Sequence, residues 1–84
     1  MQYAVILPRK VQKDLQKIDN RYFNRIKAAL VALANNPYIG KGLAGKRAGE
    51  WSYEVWPYRI VYVIKKNDLV VLVIRIGHRQ GVYK

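Results

Sequence analysis

Three strand-like runs crowd the second half of this chain with almost nothing between them. Glu50 to Trp56, Tyr58 to Lys65 and Leu69 to Ile76 are rich in Val, Ile and aromatic residues. Pro57 alone separates the first two, and Lys66-Asn67-Asp68 separates the second from the third. Parallel neighbours need a crossover of a dozen or more residues, so connections this short force an antiparallel meander. Within the third run Leu69, Val71 and Val73 are apolar, and so are Val70, Leu72 and Ile74. Neither face of that strand reads as wet. Helices can cover one face; the other either belongs to the centre of a small twisted sheet or meets a second chain.

The first half reads differently. An apolar run over Gln2 to Leu7 ends at Pro8, which suits the first turn of a helix. From Arg9 to Ile18, Val11, Leu15 and Ile18 are spaced four and three, with Lys10, Lys13, Gln16 and Lys17 between them. That spacing predicts an amphipathic helix with a basic outer face. Asp19 or Asn20 caps a second helix, whose stripe of Tyr22, Ile26, Ala29, Leu30, Leu33 and Ala34 runs to Asn35-Asn36-Pro37. Residues Pro37 to Gly49 hold four glycines and no sustained period, so they read as a positively charged loop. The order strand, helix, helix, three strands predicts an α+β fold: an N-terminal strand and a helical hairpin packed on a small, mainly antiparallel sheet. Residues 1–84 form a single domain in this reading.

Sixteen Lys and Arg against five Asp and Glu give a formal charge of +11. The cations are spread along the chain from Arg9 to Lys84, so the charge sits on folded surface and not on a tail. A polyanion such as nucleic acid is the leading partner class, with an acidic protein or a merely solubilising surface as the alternatives. No run reaches the roughly 18 apolar residues of a membrane span, and Met1 to Leu7 is too short for a signal peptide. With no cysteine, a reducing cytoplasm is the expected setting.

The chemistry available is narrow. One His, no Cys, no close carboxylate pair and no phosphate-cradling glycine loop give no metal and no cofactor motif. The only serine, Ser52, falls inside a strand, which argues against a serine triad. What remains is arginine, lysine, tyrosine and His78. That set suits cleavage of RNA by its own 2′-hydroxyl: arginine forks stabilise charge on the phosphate oxygens, and a phenol or imidazole moves protons. Arg59 early in one strand, with His78, Arg79 and Tyr83 beyond the next, converge at one sheet end if the two strands pair. Lys41, Lys46, Arg47 and Lys84 are candidate RNA contacts; each is otherwise a solvated charge. Trp51, Tyr53 and Trp56 can stack on bases, although aromatics in strands more often belong to the core.

The whole chain resembles the RelE/ParE superfamily of toxins from bacterial and archaeal toxin-antitoxin pairs. The resemblance rests on the opening strand and helical hairpin, Leu43-Ala44-Gly45 before Trp51, Tyr58-Arg59-Ile60-Val61-Tyr62, Ile76-Gly77-His78-Arg79 and the ending Val82-Tyr83. It implies a RelE-like microbial RNase fold and a ribosome-dependent endoribonuclease. Such a toxin cuts mRNA in the A site without a metal and is held inactive by a cognate antitoxin. It also implies that Arg59 and Arg79 bind the scissile phosphate, that Tyr83 orients the nucleotide or moves a proton, and that His78 occupies a position that is often basic. Many RNA-cutting relatives carry Lys or Arg where this chain has Ser52 and Glu54, which puts a carboxylate close to the phosphate. A ParE-like inhibitor of DNA gyrase, or a basic RNA-binding domain without activity, is the alternative function.

Overall fold

A computed structural model describes residues 2–81. Tyr83 and Lys84, two of the candidate site residues, lie outside them. Five strands form one sheet in the order β1-β5-β4-β3-β2, with β1 at Ala4–Ile6, β2 at Lys41–Gly42, β3 at Trp51–Val55, β4 at Tyr58–Lys65 and β5 at Val70–His78. β2 to β5 are antiparallel neighbours, and β1 runs parallel to β5, pairing Val5 with Val71. The parallel pair is possible because two helices, α1 at Arg9–Gln16 and α2 at Asn20–Asn35, and the first part of the meander intervene.

Both helices pack on one face. The Pro8 carbonyl accepts the first helical bonds of α1, from the N–H groups of Val11 and Gln12 at 2.9 and 3.0 Å. Asp19, the first of the two cap candidates, caps α2 by accepting from Arg21 N–H at 2.9 Å. That contact and the Arg21 guanidinium hold its carboxyl below the usual carboxylate range. Val11 and Ile18 are buried from the first stripe, and Ile26, Ala29, Leu33 and Ala34 from the second. All of these but Ala34 meet Val55, Ile60, Tyr62, Val71, Val73 and Ile76 from the sheet. Each large side chain among them contributes about 1.5–3 kcal/mol of burial.

The third apolar run, expected over Leu69 to Ile76, is a strand over Val70–His78 and contains a register break. Tyr62 pairs with Val73 but Val61 pairs with Arg75, so Ile74 is an extra residue opposite the middle of β4. Val71, Val73 and Ile76 therefore face the helices, while Ile74 is exposed. The sheet is covered by helices on one side only. Among the described residues no helix is long and apolar enough to cross a membrane.

The segment expected to be a plain loop is partly ordered. Pro37–Ile39 and Gly45–Arg47 are 3-10 turns flanking β2. The cause is a tether: the buried Tyr62 hydroxyl donates to the Pro37 carbonyl at 2.7 Å, drawing the chain after α2 onto the sheet. Gly40 lies so close to the Tyr62 hydroxyl and the Ser52 carbonyl that a Cβ there would collide with both.

Candidate functional site

Residues directly opposite one another across neighbouring strands share a face, and successive residues alternate. Tyr58 lies on the helix side, edge-on to Tyr22 of α2 with ring centroids 5.6 Å apart. Arg59, the next residue, is therefore on the uncovered face, directly between Glu54 on β3 and Gly77 on β5. Ser52, two residues before Glu54, shares that face and is buried. The tethered segment completes the enclosure. A cleft of about 490 Å³ is lined by Ile39, Gly40, Lys41 and Leu43 on one side and by Ser52, Tyr53, Glu54 and Arg59 on the other.

The electrostatics of this cleft centre on one guanidinium. Arg59 Nη2 meets Glu54 Oε2 at 3.5 Å, a long contact with the carboxylate side chain half exposed. Pairs of this kind contribute about 0–1 kcal/mol. Arg59 Nε is buried and has no hydrogen-bond partner among the described residues. A buried donor left unsatisfied costs free energy that an arriving acceptor recovers. The cleft thus presents an arginine whose present partner is weak and whose buried Nε is left without an acceptor.

Arg79 sits near but is otherwise engaged. Its N–H donates to the Pro57 carbonyl at 2.9 Å, which holds it beside the β3–β4 turn, and its guanidinium lies 4.3 Å from the centre of the Trp56 ring. The strand pairing brings Arg59 and Arg79 to one end of the sheet, as Arg59 pairs with Gly77. His78 is placed differently. It belongs to β5 and not to the chain reversal after it, and it pairs with Tyr58, on the side away from Arg59. Its ring stands edge-on to Tyr58 with centroids 6.0 Å apart, and its Nδ1 accepts from Gln80 N–H at 3.3 Å.

Among the other cations, Lys41 lines the Arg59 cleft from β2. Lys46 is exposed on the turn after β2, and Arg47 is held by Glu50 at 2.9 Å. Trp51 and Tyr53 are half-buried against the core, whereas Trp56 is 53% exposed. Strand propensity alone misplaces Trp56; its position next to Pro57, at the tip of a hairpin, was the signal that it belongs to a turn. Among the described residues, no three His, Cys, Asp or Glu side chains gather where a metal ion could be held.

This architecture has close counterparts. Over 94% of its length the chain superposes with TM-score 0.87 and 27% identity on 93% of a chain from the RelBE2 toxin-antitoxin complex of Mycobacterium tuberculosis. It superposes with TM-score 0.81 and 21% identity on a chain of the archaeal RelE-RelB complex of Pyrococcus horikoshii, covering 98% of this chain and all of that one. By sequence it is 29% identical over 86 residues to a protein described as Toxin RelG of M. tuberculosis, spanning 100% of this chain and 99% of the other. Two helices against a mixed five-stranded sheet, with an arginine cleft on the uncovered face, thus define a small toxin of the RelE fold. Residues 5–83 match the family described as ParE toxin of type II toxin-antitoxin system, parDE, and the chain belongs to that family, within the RelE/ParE group.

Proposed function

We propose that this toxin is a ribosome-dependent endoribonuclease that cuts mRNA in the A site with no metal: a 2′-hydroxyl loses its proton and attacks the adjacent phosphorus, the bond from phosphorus to the 5′-oxygen breaks, and that oxygen leaves with a proton. The observation that carries the reading is Arg59: a guanidinium in a cleft, its Nε unpaired and its head held only loosely by Glu54. A phosphodiester offers two oxygens to that fork, and charge-assisted bidentate bonds are roughly twice as strong as neutral ones. Lys41 adds a second positive charge from the facing wall. Arg79, leaving the Trp56 ring, supplies the third as charge builds on the phosphate oxygens.

Proton transfer falls to three candidates. Glu54 is the carboxylate beside Arg59 and can accept the 2′-hydroxyl proton once Arg59 has turned to the phosphate. Tyr83 enters on the family resemblance alone. His78 keeps Nε2 available at the sheet end but faces the helices, which makes it the worst placed of the three. Lys46, Arg47 and Lys84 contact RNA away from the reacting linkage in this reading. A cognate antitoxin holds the toxin inactive, in keeping with the RelB partners in the related complexes, and a surface of +11 favours a partner segment rich in acidic residues. The site of action is the cytoplasm.

The test is to map mRNA 5′ ends after brief induction in cells. Cuts phased to A-site codons are expected for the parent and none for Arg59→Ala or Arg79→Ala, with both variants folded. A second reading is favoured by the family description itself, which names ParE: inhibition of DNA gyrase with no RNA cleavage. In that case the mRNA stays intact while a supercoiling assay with purified gyrase responds to the toxin.

A further inference from the structure

Trp56 is the most exposed aromatic side chain among the described residues, at 53%. An indole left in water gives up the burial that makes tryptophan worth having in a small domain, so its position asks for an occupant. Three features say what kind. The Arg79 guanidinium lies over the ring at 4.3 Å, which shows the ring face open to a flat, delocalised group. The same ring lines a hollow of about 500 Å³ shared with Arg25, Ala28 and Ala29 of α2 and with Tyr53, and Arg79 is not among the residues lining it. Two alanines leave flat space there, and the exposed Arg25 puts a cation at its rim.

The hollow also adjoins the Arg59 cleft. β2 pairs only with Trp51 and Ser52, so the outer edge of β3 is free from Tyr53 onward. Tyr53 and Glu54 line both depressions, one on each side of that edge. A strand of RNA whose phosphate lies at Arg59 therefore has its neighbouring nucleotide within reach of Trp56.

We propose that Trp56 is a stacking platform for an unpaired nucleobase, with Arg25 receiving the phosphate attached to it. Unpaired bases stack on aromatic rings and on guanidinium planes, tolerate many sequences because every base has a π face, and pair naturally with a cationic rim. The base occupies the hollow-side face of the indole, next to the linkage that the nuclease reading places at Arg59. It rests on that reading only for this neighbour; the platform itself requires only single-stranded RNA. An apolar protein segment fits less well, because the rim is cationic and Tyr53 and Glu54 bring polar groups to the floor.

The probe is a short single-stranded RNA with 2′-O-methyl riboses, which cannot undergo attack by its own hydroxyl. In a Trp51→Phe background Trp56 is the sole tryptophan, and its emission should be quenched on titration. An oligomer of the same charge made of abasic units should not quench it. By anisotropy of labelled RNA, Trp56→Leu should weaken binding about tenfold, while Trp56→Phe stays within about threefold of the parent. The salt slope should not change, since no charge is removed. Leucine keeps apolar bulk at the turn, and circular dichroism verifies that each variant is folded. Equal affinity for the parent and Trp56→Leu, equal quenching by abasic RNA, or a loss confined to a protein partner overturns the platform. Quenching without any mRNA cuts in cells removes the nuclease reading and leaves the platform standing. Cuts that persist unchanged in Trp56→Leu, with no quenching, do the reverse.

Discussion

Replacing Gly40 with Ala should destabilise this fold strongly. The new methyl group would collide with the Tyr62 hydroxyl and with the Ser52 carbonyl, which is backbone and cannot rotate away. Displacing the hydroxyl breaks its 2.7 Å bond to the Pro37 carbonyl inside a fully buried site, a loss of about 1–3 kcal/mol. Forcing the β2 segment off β3 adds about 1–3 kcal/mol of overpacking. The expected total is about 2–6 kcal/mol out of a stability of about 5–15 kcal/mol for an ordinary domain. At about 2.1 cal/mol/K per residue, unfolding entropy here is about 0.18 kcal/mol/K, so the melting temperature should fall by roughly 11–33 °C. Thermal unfolding followed by far-ultraviolet circular dichroism measures this directly. Gly42→Ala is the control, because a Cβ there stands 3.9 Å from the Trp51 ring, an ordinary contact, and its melting temperature should move by no more than about 2 °C. In a Tyr62→Phe background Gly40→Ala should cost less, with a coupling of about 1–2 kcal/mol. A Gly40→Ala protein that melts within about 2 °C of the parent would refute the tether as the element that builds the cleft.

Glu54→Gln should raise affinity for non-cleavable RNA several-fold at low salt, since it releases Arg59 and removes a charge that repels phosphate; a nitrocellulose filter assay reads this, and unchanged or weaker binding counts against it. If the same variant binds well but no longer cuts, the carboxylate is the proton acceptor. Burial pushes the Tyr62 phenol up to about 12, against about 10 for an unfolded chain. The folded state therefore holds that proton more tightly, and the associated stability is complete below about pH 10 and lost as pH rises towards 12, on the order of 2–3 kcal/mol. Urea unfolding at pH 9 and pH 11.5 should show the loss in the parent and a smaller one in Tyr62→Phe. RNA binding should fall steeply between low and physiological salt, and a flat dependence would argue against phosphate contacts.

The helical hairpin was legible because its signals are local: a proline at the start, an Asp cap between, four-and-three spacing throughout. The strands were legible for the same reason, down to the limits of β4. Two features were not. The extra residue at Ile74 breaks the alternation of β5, so period-two reading cannot say which of Val73, Ile74 and Arg75 faces inward; that depends on the pairing with Val61 and Tyr62 across the sheet. The ordering of the Pro37 segment depends on a hydroxyl 25 positions away in sequence, and no local pattern carries that. Strand pairing put Arg59 at one sheet end, but its place on the uncovered face and its contact with Glu54 both required the register. His78 and Arg59 sit at one sheet end, as pairing implied, yet on opposite faces.

The strand order has a consequence for when the toxin comes into being. β5, the last strand in sequence, lies between β4 and the N-terminal β1, with Ala4 paired to Val70. Neither helix can bury its apolar stripe fully until that late segment has been made, since Val71, Val73 and Ile76 supply the floor beneath them. Long-range closure of this kind is slow. Until Val70–His78 has docked between β1 and β4, the paired helices keep an apolar face in water and the Arg59 end of the sheet lacks its neighbour on β5.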